Sequence, residues 1–320
     1  MAQLRADQLP GGQAETPTQI PPRGWWQVLK RAVQKSSADN VPMLAAGVAF
    51  FAFLAIFPAL IAALTLYGLV ADPAQVAQQI DSLSEALPPE ARQIISGQLT
   101  AVSSSSEGAL GVGLVVSLLA ALWSASSATG NLITAINLAY DEEETRGAVK
   151  LRVIALGLTL GAIVFVLVAL ALVAVVPIVL DQLGLGTVGQ VVAQIVPWVL
   201  LIGVVIVGLA VMYRVAPDRD NARFRWVSTG ALVAALLWIL GSVAFSLYVR
   251  LFGNYNKTYG TLAGVIVLML WLYLTSYIVL LGAEINAEAE RQTARDTTAG
   301  DPMPMGQRGA TVADTLPQQK

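Results

Sequence analysis

Cysteine and histidine are both missing from the 320 residues. That excludes disulfides, thiolate nucleophiles, Ser-His-Asp triads and zinc sites built on nitrogen or sulfur ligands. Charge is scarce too: Asp, Glu, Lys and Arg make up 12% of the chain, about half of the roughly 25% typical of soluble domains. A net charge of −2 supplies no basic field for nucleic acid. What the chain does have is apolar surface, with 56% hydrophobic residues and a mean hydropathy of +0.66. Too little polar surface remains to coat a globule, so the composition points to an integral membrane protein.

The gaps between charged residues set the expected architecture. Residues 40–71, 108–140, 153–180, 182–213, 226–249 and 258–283 are free of charge. Each run exceeds the roughly 20 apolar residues that a spanning helix needs. The alternating segments of about 10 residues expected of a membrane β-barrel are absent. Helices satisfy every backbone amide within the segment, which a bilayer demands. The sequence therefore predicts an all-α, polytopic membrane protein with six transmembrane helices, over approximately 41–71, 108–140, 153–180, 185–213, 226–249 and 258–284. Together they form a membrane domain over 40–290.

Basic residues orient it. With six crossings, 16 of the 19 Lys and Arg fall on one side, including Lys30, Arg31, Arg146, Arg219 and Arg291. By the positive-inside rule that side is cytoplasmic, and both termini lie there, in a bacterial inner membrane. Residues 1–22 and 291–320, rich in Gln, Pro, Thr and Gly, read as disordered tails. Residues 23–39, where Trp26, Leu29 and Val33 share a helical face beside Lys30 and Arg31, read as an interfacial amphipathic helix or a juxtamembrane anchor. Between the first two spans, Val76, Ile80, Leu83 and Leu87, then Ile94, Ile95, Leu99 and Val102, recur at helical spacing around Pro88-Pro89. The expectation is an extracytoplasmic amphipathic helical hairpin over 73–107.

Little chemistry is visible. Buried charge in spanning helices marks ion and substrate paths, and the six runs hold none. The second run is the most polar, with Ser126, Asn131 and Asn137 as candidates for lining a cavity or for bonding across packed helices. Asn131 and Asn137 are six residues apart, roughly 240° around a helix, which favours packing over one channel wall. Gly157 and Gly161 form a G-x-x-x-G packing pair. Pro58, Pro177 and Pro197 are expected to kink their helices. Glu284, at the end of the last run, calls for a basic partner. Asp141-Glu142-Glu143-Glu144 could hold Mg²⁺, but a solvated acidic loop paired with Lys150 and Arg152 is the simpler reading. No catalytic residue, cofactor or metal is expected.

Three segments together carry a resemblance. The first helix runs from Asn40 through Ala45-Ala46 and Phe50-Phe51 to Phe57-Pro58. The second ends Asn131…Asn137…Tyr140-Asp141. The last reads Tyr259-Gly260…Ala263-Gly264…Trp271…Tyr273…Ser276-Tyr277…Gly282-Ala283-Glu284-Ile-Asn286. From about Trp25 to Arg291 the chain resembles the YihY/virulence factor BrkB family of bacterial inner-membrane proteins. The resemblance implies a multi-pass membrane protein without an established reaction. The older label ribonuclease BN finds no support in these residues. Two functions stay open: a protein that transports or handles a lipid-like or poorly charged envelope solute, and a membrane scaffold without transport. The expected partners are the lipid bilayer and such a solute, not nucleic acid.

Overall fold

The computed structural model describes residues 6–70, 107–182, 186–251 and 262–317, without the side chains of 57–70, 107–114, 117, 170, 173–182, 186–194 and 262. Helix α1 covers Pro22–Ala38 and is followed by six long helices: α2 Val41–Val70, α3 Glu107–Ala139, α4 Ala148–Gln182, α5 Gly186–Val215, α6 Phe224–Leu251 and α7 Leu262–Arg291. A short α8, Thr311–Asp314, closes the chain. Among the described residues there is no strand, only an isolated bridge between Ala222 and Thr298.

The long helices coincide with the charge-free runs because Ala, Val, Leu and Ile dominate each run, and the Ser, Thr and Asn of α3 bond carbonyls of their own helix. At 1.5 Å per residue, their 28 to 35 residues make about 42–52 Å, more than the roughly 30 Å hydrocarbon core. Four stretches are long and apolar enough to cross a membrane: Ala148–Ala169, Ile195–Val215, Phe224–Leu251 and Ala263–Arg291. Pro22–Ala38 with Val41–Ile56, bent by 68°, brings the number to at most five among the described residues. Helical backbone continues through Pro58, Pro177 and Pro197. The Pro58 side chain and, but for Glu107, the expected hairpin at 73–107 lie outside the described residues.

The six helices adjoin one another in chain order and close a ring, α7 returning to α2, with α3 also touching α7 across it. The buried core gathers at one end of this ring. Val41, Ala45, Ile133, Ile136, Tyr140, Tyr213, Val227 and Leu280 meet there, and the charged residues of the connections crowd around them. Farther along, Leu167, Leu240 and Leu247 face outward, exposed.

Helix α1 docks on α7 and buries Gly24, Val28, Ala32 and Ser36, with Val28 packed beside Ala289 and Trp226 and Gly24 close against Pro10 and Ile20. Trp26, Leu29 and Val33, on the other face, are exposed.

The expected disordered tails are folded where described. The Ala294 amide donates to the Gly12 carbonyl at 2.9 Å, and the Thr293 hydroxyl to the Ala14 carbonyl at 2.7 Å. Arg308 donates to the carbonyls of Ala294, Arg295, Met303 and Ala313. Sparse apolar residues, among them Leu9, Ile20, Val312 and Leu316, are buried. Polar composition hid this because side chains bonded to backbone, rather than an apolar core, hold much of the structure.

Candidate functional site

Two features could carry function: a cavity inside the ring and a charged network at its end. The cavity, about 550 Å³, lies among α3 to α7. Ile133, Leu158, Phe165, Leu209, Trp238 and Trp271 give it an apolar wall. Its threonines and the Trp238 indole are engaged. The Thr129 and Thr159 hydroxyls lie 2.8 Å apart, and the Trp238 indole donates to Thr275 at 3.2 Å. Trp238 and Trp271 meet edge to face at 6.0 Å. Glycine makes the room, since a Cβ built at Gly161 meets nothing within 4 Å and one at Gly208 meets only the Phe165 ring, from 3.4 Å. Such a volume takes an apolar molecule of drug size or a length of acyl chain.

At the charged end, Asp141 follows α3 with a φ of 53°. The Glu142 amide bonds the Asn137 carbonyl and the Asp141 amide that of Leu138, so the helix ends in the Schellman arrangement, with aspartate where glycine is usual. Asp141 bridges Lys35 of α1, at 2.6 Å, and Arg291 of α7. Arg291 also holds Glu288, which pairs with Arg31. Burial alone would raise the Asp141 carboxyl, but Arg291 and Lys35 bring it below the usual carboxylate range. Glu144 is held low by its bond to Arg146. Asp218, despite burial, is lowered by bonds from Thr145 and by Arg146. Glu142 is pushed up by burial, although it accepts from the Thr311 amide at 2.7 Å.

These partners replace the expected solvated loop bound by Lys150 and Arg152. Asp141, Glu142 and Glu144 each serve different neighbours, and among the described residues no group of three His, Cys, Asp or Glu could hold a metal.

The residues singled out in the sequence scatter. Ser126, fully buried, donates to the Trp123 carbonyl of its own helix at 2.9 Å. Asn131 bonds the Ser127 carbonyl at 2.9 Å. Asn137 joins two connections, donating to Glu144 at 2.8 Å and accepting from the Asp218 amide at 2.7 Å. None of the three lines the cavity. Glu284, expected to have a basic partner, is fully buried with neither carboxyl oxygen hydrogen-bonded, and the Tyr140 hydroxyl is likewise unpaired. The Gly157–Gly161 pair does not bring helices together, as neither position has a neighbour within 4 Å. Close approach occurs instead at Gly230 and Gly282, where an added Cβ would strike the Gly282 carbonyl from one side and the Tyr213 hydroxyl from the other. Asn286 seals this crossing, accepting from the Gly230 amide at 2.7 Å and donating to the Val227 carbonyl at 3.1 Å. The cavity residues escaped the sequence reading because uncharged Thr and Trp break no apolar run.

The family described as Virulence factor BrkB matches residues 32–305, which covers all six helices of the ring and most of the network, though not Arg31, Arg308 or Thr311. The chain belongs to the BrkB family. Among BrkB relatives, the ribonuclease-like protein YfkH of Bacillus subtilis (strain 168) is 32% identical over 263 residues, 81% of this chain and 94% of that protein. The UPF0761 membrane proteins of Tolumonas auensis and Idiomarina loihiensis match more locally. They are 40% identical over 96 residues and 39% over 93, each 29% of this chain and 30% and 32% of those proteins. No solved structure matches.

Proposed function

We propose that this BrkB protein crosses a bacterial inner membrane six times, with both termini in the cytoplasm, and that its cavity holds the apolar part of an envelope lipid or a similarly uncharged solute. The cavity carries the reading. It is about 550 Å³ of apolar space in a protein whose outer helix faces are themselves apolar, and the Thr129 hydroxyl and the Trp238 indole already have partners. The charge asymmetry supports the orientation, because the network residues Lys35, Arg146, Arg219, Arg291 and Arg308 all belong to the basic side of the chain. The exposed line Trp26, Leu29 and Val33 on α1 suits a helix lying in the cytoplasmic interface.

The test is to fill the cavity. Gly161→Leu and Gly208→Leu place a side chain in the open volume. Mass spectrometry of the purified proteins should find a lipid retained by the parent and lost from both variants, with folding intact. Liposomes should show the same difference in lipid or solute movement. Equal retention and movement in all three proteins would overturn the reading in favour of a scaffold.

A further inference from the structure

We propose that Arg152 and the outer face of α3 hold the phosphate of an anionic phospholipid. At 100° per residue, Trp123, Ser127, Gly130 and Thr134 fall within about 60° of one another on α3. Arg152, in the first turns of α4, reaches onto this stripe. Its guanidinium carbon lies 3.6 Å from the Trp123 ring centroid. One terminal nitrogen donates to the Ser127 hydroxyl at 3.2 Å and the other to the Trp123 carbonyl at 3.5 Å. Gly130 keeps the floor open, as a Cβ there meets nothing within 4 Å.

The guanidinium lacks an anion. Arg31, Arg146, Arg219, Arg291 and Arg308 each face a carboxylate within ion-pair distance. Among the described residues none faces Arg152, and its buried Nε atom has no hydrogen-bond partner. The surroundings are apolar and outward-facing: Leu119, Leu138, Val149 and Val153 are 41–80% exposed. Arg152 lies four residues after Ala148, the start of α4, or about 6 Å along the helix. That places its backbone at the headgroup layer when α4 spans, with the guanidinium reaching inward along α3. A cation held there is costly unless an anion joins it, and a planar fork of donors matches phosphate oxygens. Ser127 and Thr134 add hydroxyls beside it. A phospholipid of the cytoplasmic leaflet brings the phosphate to that depth with its chains alongside the exposed Leu and Val. The proposal rests on the membrane-spanning reading but not on the cavity.

Native mass spectrometry of the full-length protein, with phosphatidylglycerol or phosphatidylcholine added, tests it. The parent should retain phosphatidylglycerol preferentially. Arg152→Gln should retain roughly fivefold less, the value of one basic contact at a membrane surface, and Gly130→Leu, which blocks the floor without removing charge, should do the same. Gly161→Leu should keep this adduct even while the cavity lipid is lost, so the two readings fail separately. Retention of both lipids alike by the parent, or undiminished retention in a folded Gly130→Leu or Arg152→Gln protein, would overturn the proposal. Displacement by inorganic phosphate at the concentration of the lipid would also overturn it, marking a site for free anion.

Discussion

Arg219, in the connection before α6, meets Glu290, near the end of α7, at 2.7 Å with side chains 1% and 0% exposed. Glu290 also accepts from the Thr297 hydroxyl at 2.6 Å, and the Arg219 guanidinium lies 5.2 Å from the Tyr140 ring centroid. The pair therefore clamps a connection, a helix end and the C-terminal segment. Removing one partner strands a buried charge, so Glu290→Gln or Arg219→Met should each destabilise the fold by about 3–5 kcal/mol. The double change Arg219→Met with Glu290→Leu should recover part of that loss, since no charge is left unpaired and only the buried Thr297 hydroxyl loses its acceptor. Unfolding titrations in detergent would measure both.

Acid should loosen the charged end first. Asp141, Glu144 and Asp218 are all lowered in the folded protein. The stability they lend is complete above the ordinary carboxylate range and is lost as pH falls below about 4. Glu142, raised by burial, works the other way: its contribution favours the folded state at low pH and fades as pH rises. Lowered carboxylates outnumber raised ones, Asp296 being lowered too despite burial by bonds from the Met303 and Thr298 amides, which predicts net loosening. Limited proteolysis of the 292–317 segment should therefore speed up on acidification. Asp141→Asn, which tolerates the same left-handed backbone, should flatten that response.

The glycines should sort by what surrounds them. Gly230→Ala drives a Cβ into a backbone carbonyl that cannot move aside and should cost on the order of 1–3 kcal/mol. Gly157→Ala enters open space and should be neutral or stabilising by up to ~1 kcal/mol, from helix propensity. Thermal unfolding of the two variants would separate them, and equal effects would contradict the packing described.

Topology is directly measurable. Reporters active in the cytoplasm should function when fused after Asp220 and at Lys320, and a periplasmic reporter within 81–100. Silence at Lys320, with external signal there, would rule out an even number of crossings.

The helices were legible and their environments were not. Charged residues interrupt the apolar runs where α2 to α6 begin or end, so counting charges located them. The last run failed this way: expected to finish at 284, α7 continues to Arg291 because Glu288, Glu290 and Arg291 are paired against other elements. Which face of an evenly apolar helix turns inward depends on its neighbours, so Ser126, Asn131 and Asn137 attracted attention while Thr129, Trp238 and Trp271 line the cavity. The G-x-x-x-G spacing at Gly157 and Gly161 matched a packing motif by composition alone. The real crossing pairs Gly230 with Gly282, on separate helices 52 positions apart, a relation no local pattern encodes.

The contact between the Ala294 amide and the Gly12 carbonyl has a consequence for synthesis. Residues 6–21 and helix α1 rest on α7 and the segment after it, which leave the ribosome last. Until α7 and the segment after it are made, the first forty residues lack much of their docking surface, and a chain cut short before Gln292 leaves both of its ends loose. The joined termini therefore work as a seal, closed only when residues 6–21 and 292–317 are both in place and open to proteolysis otherwise.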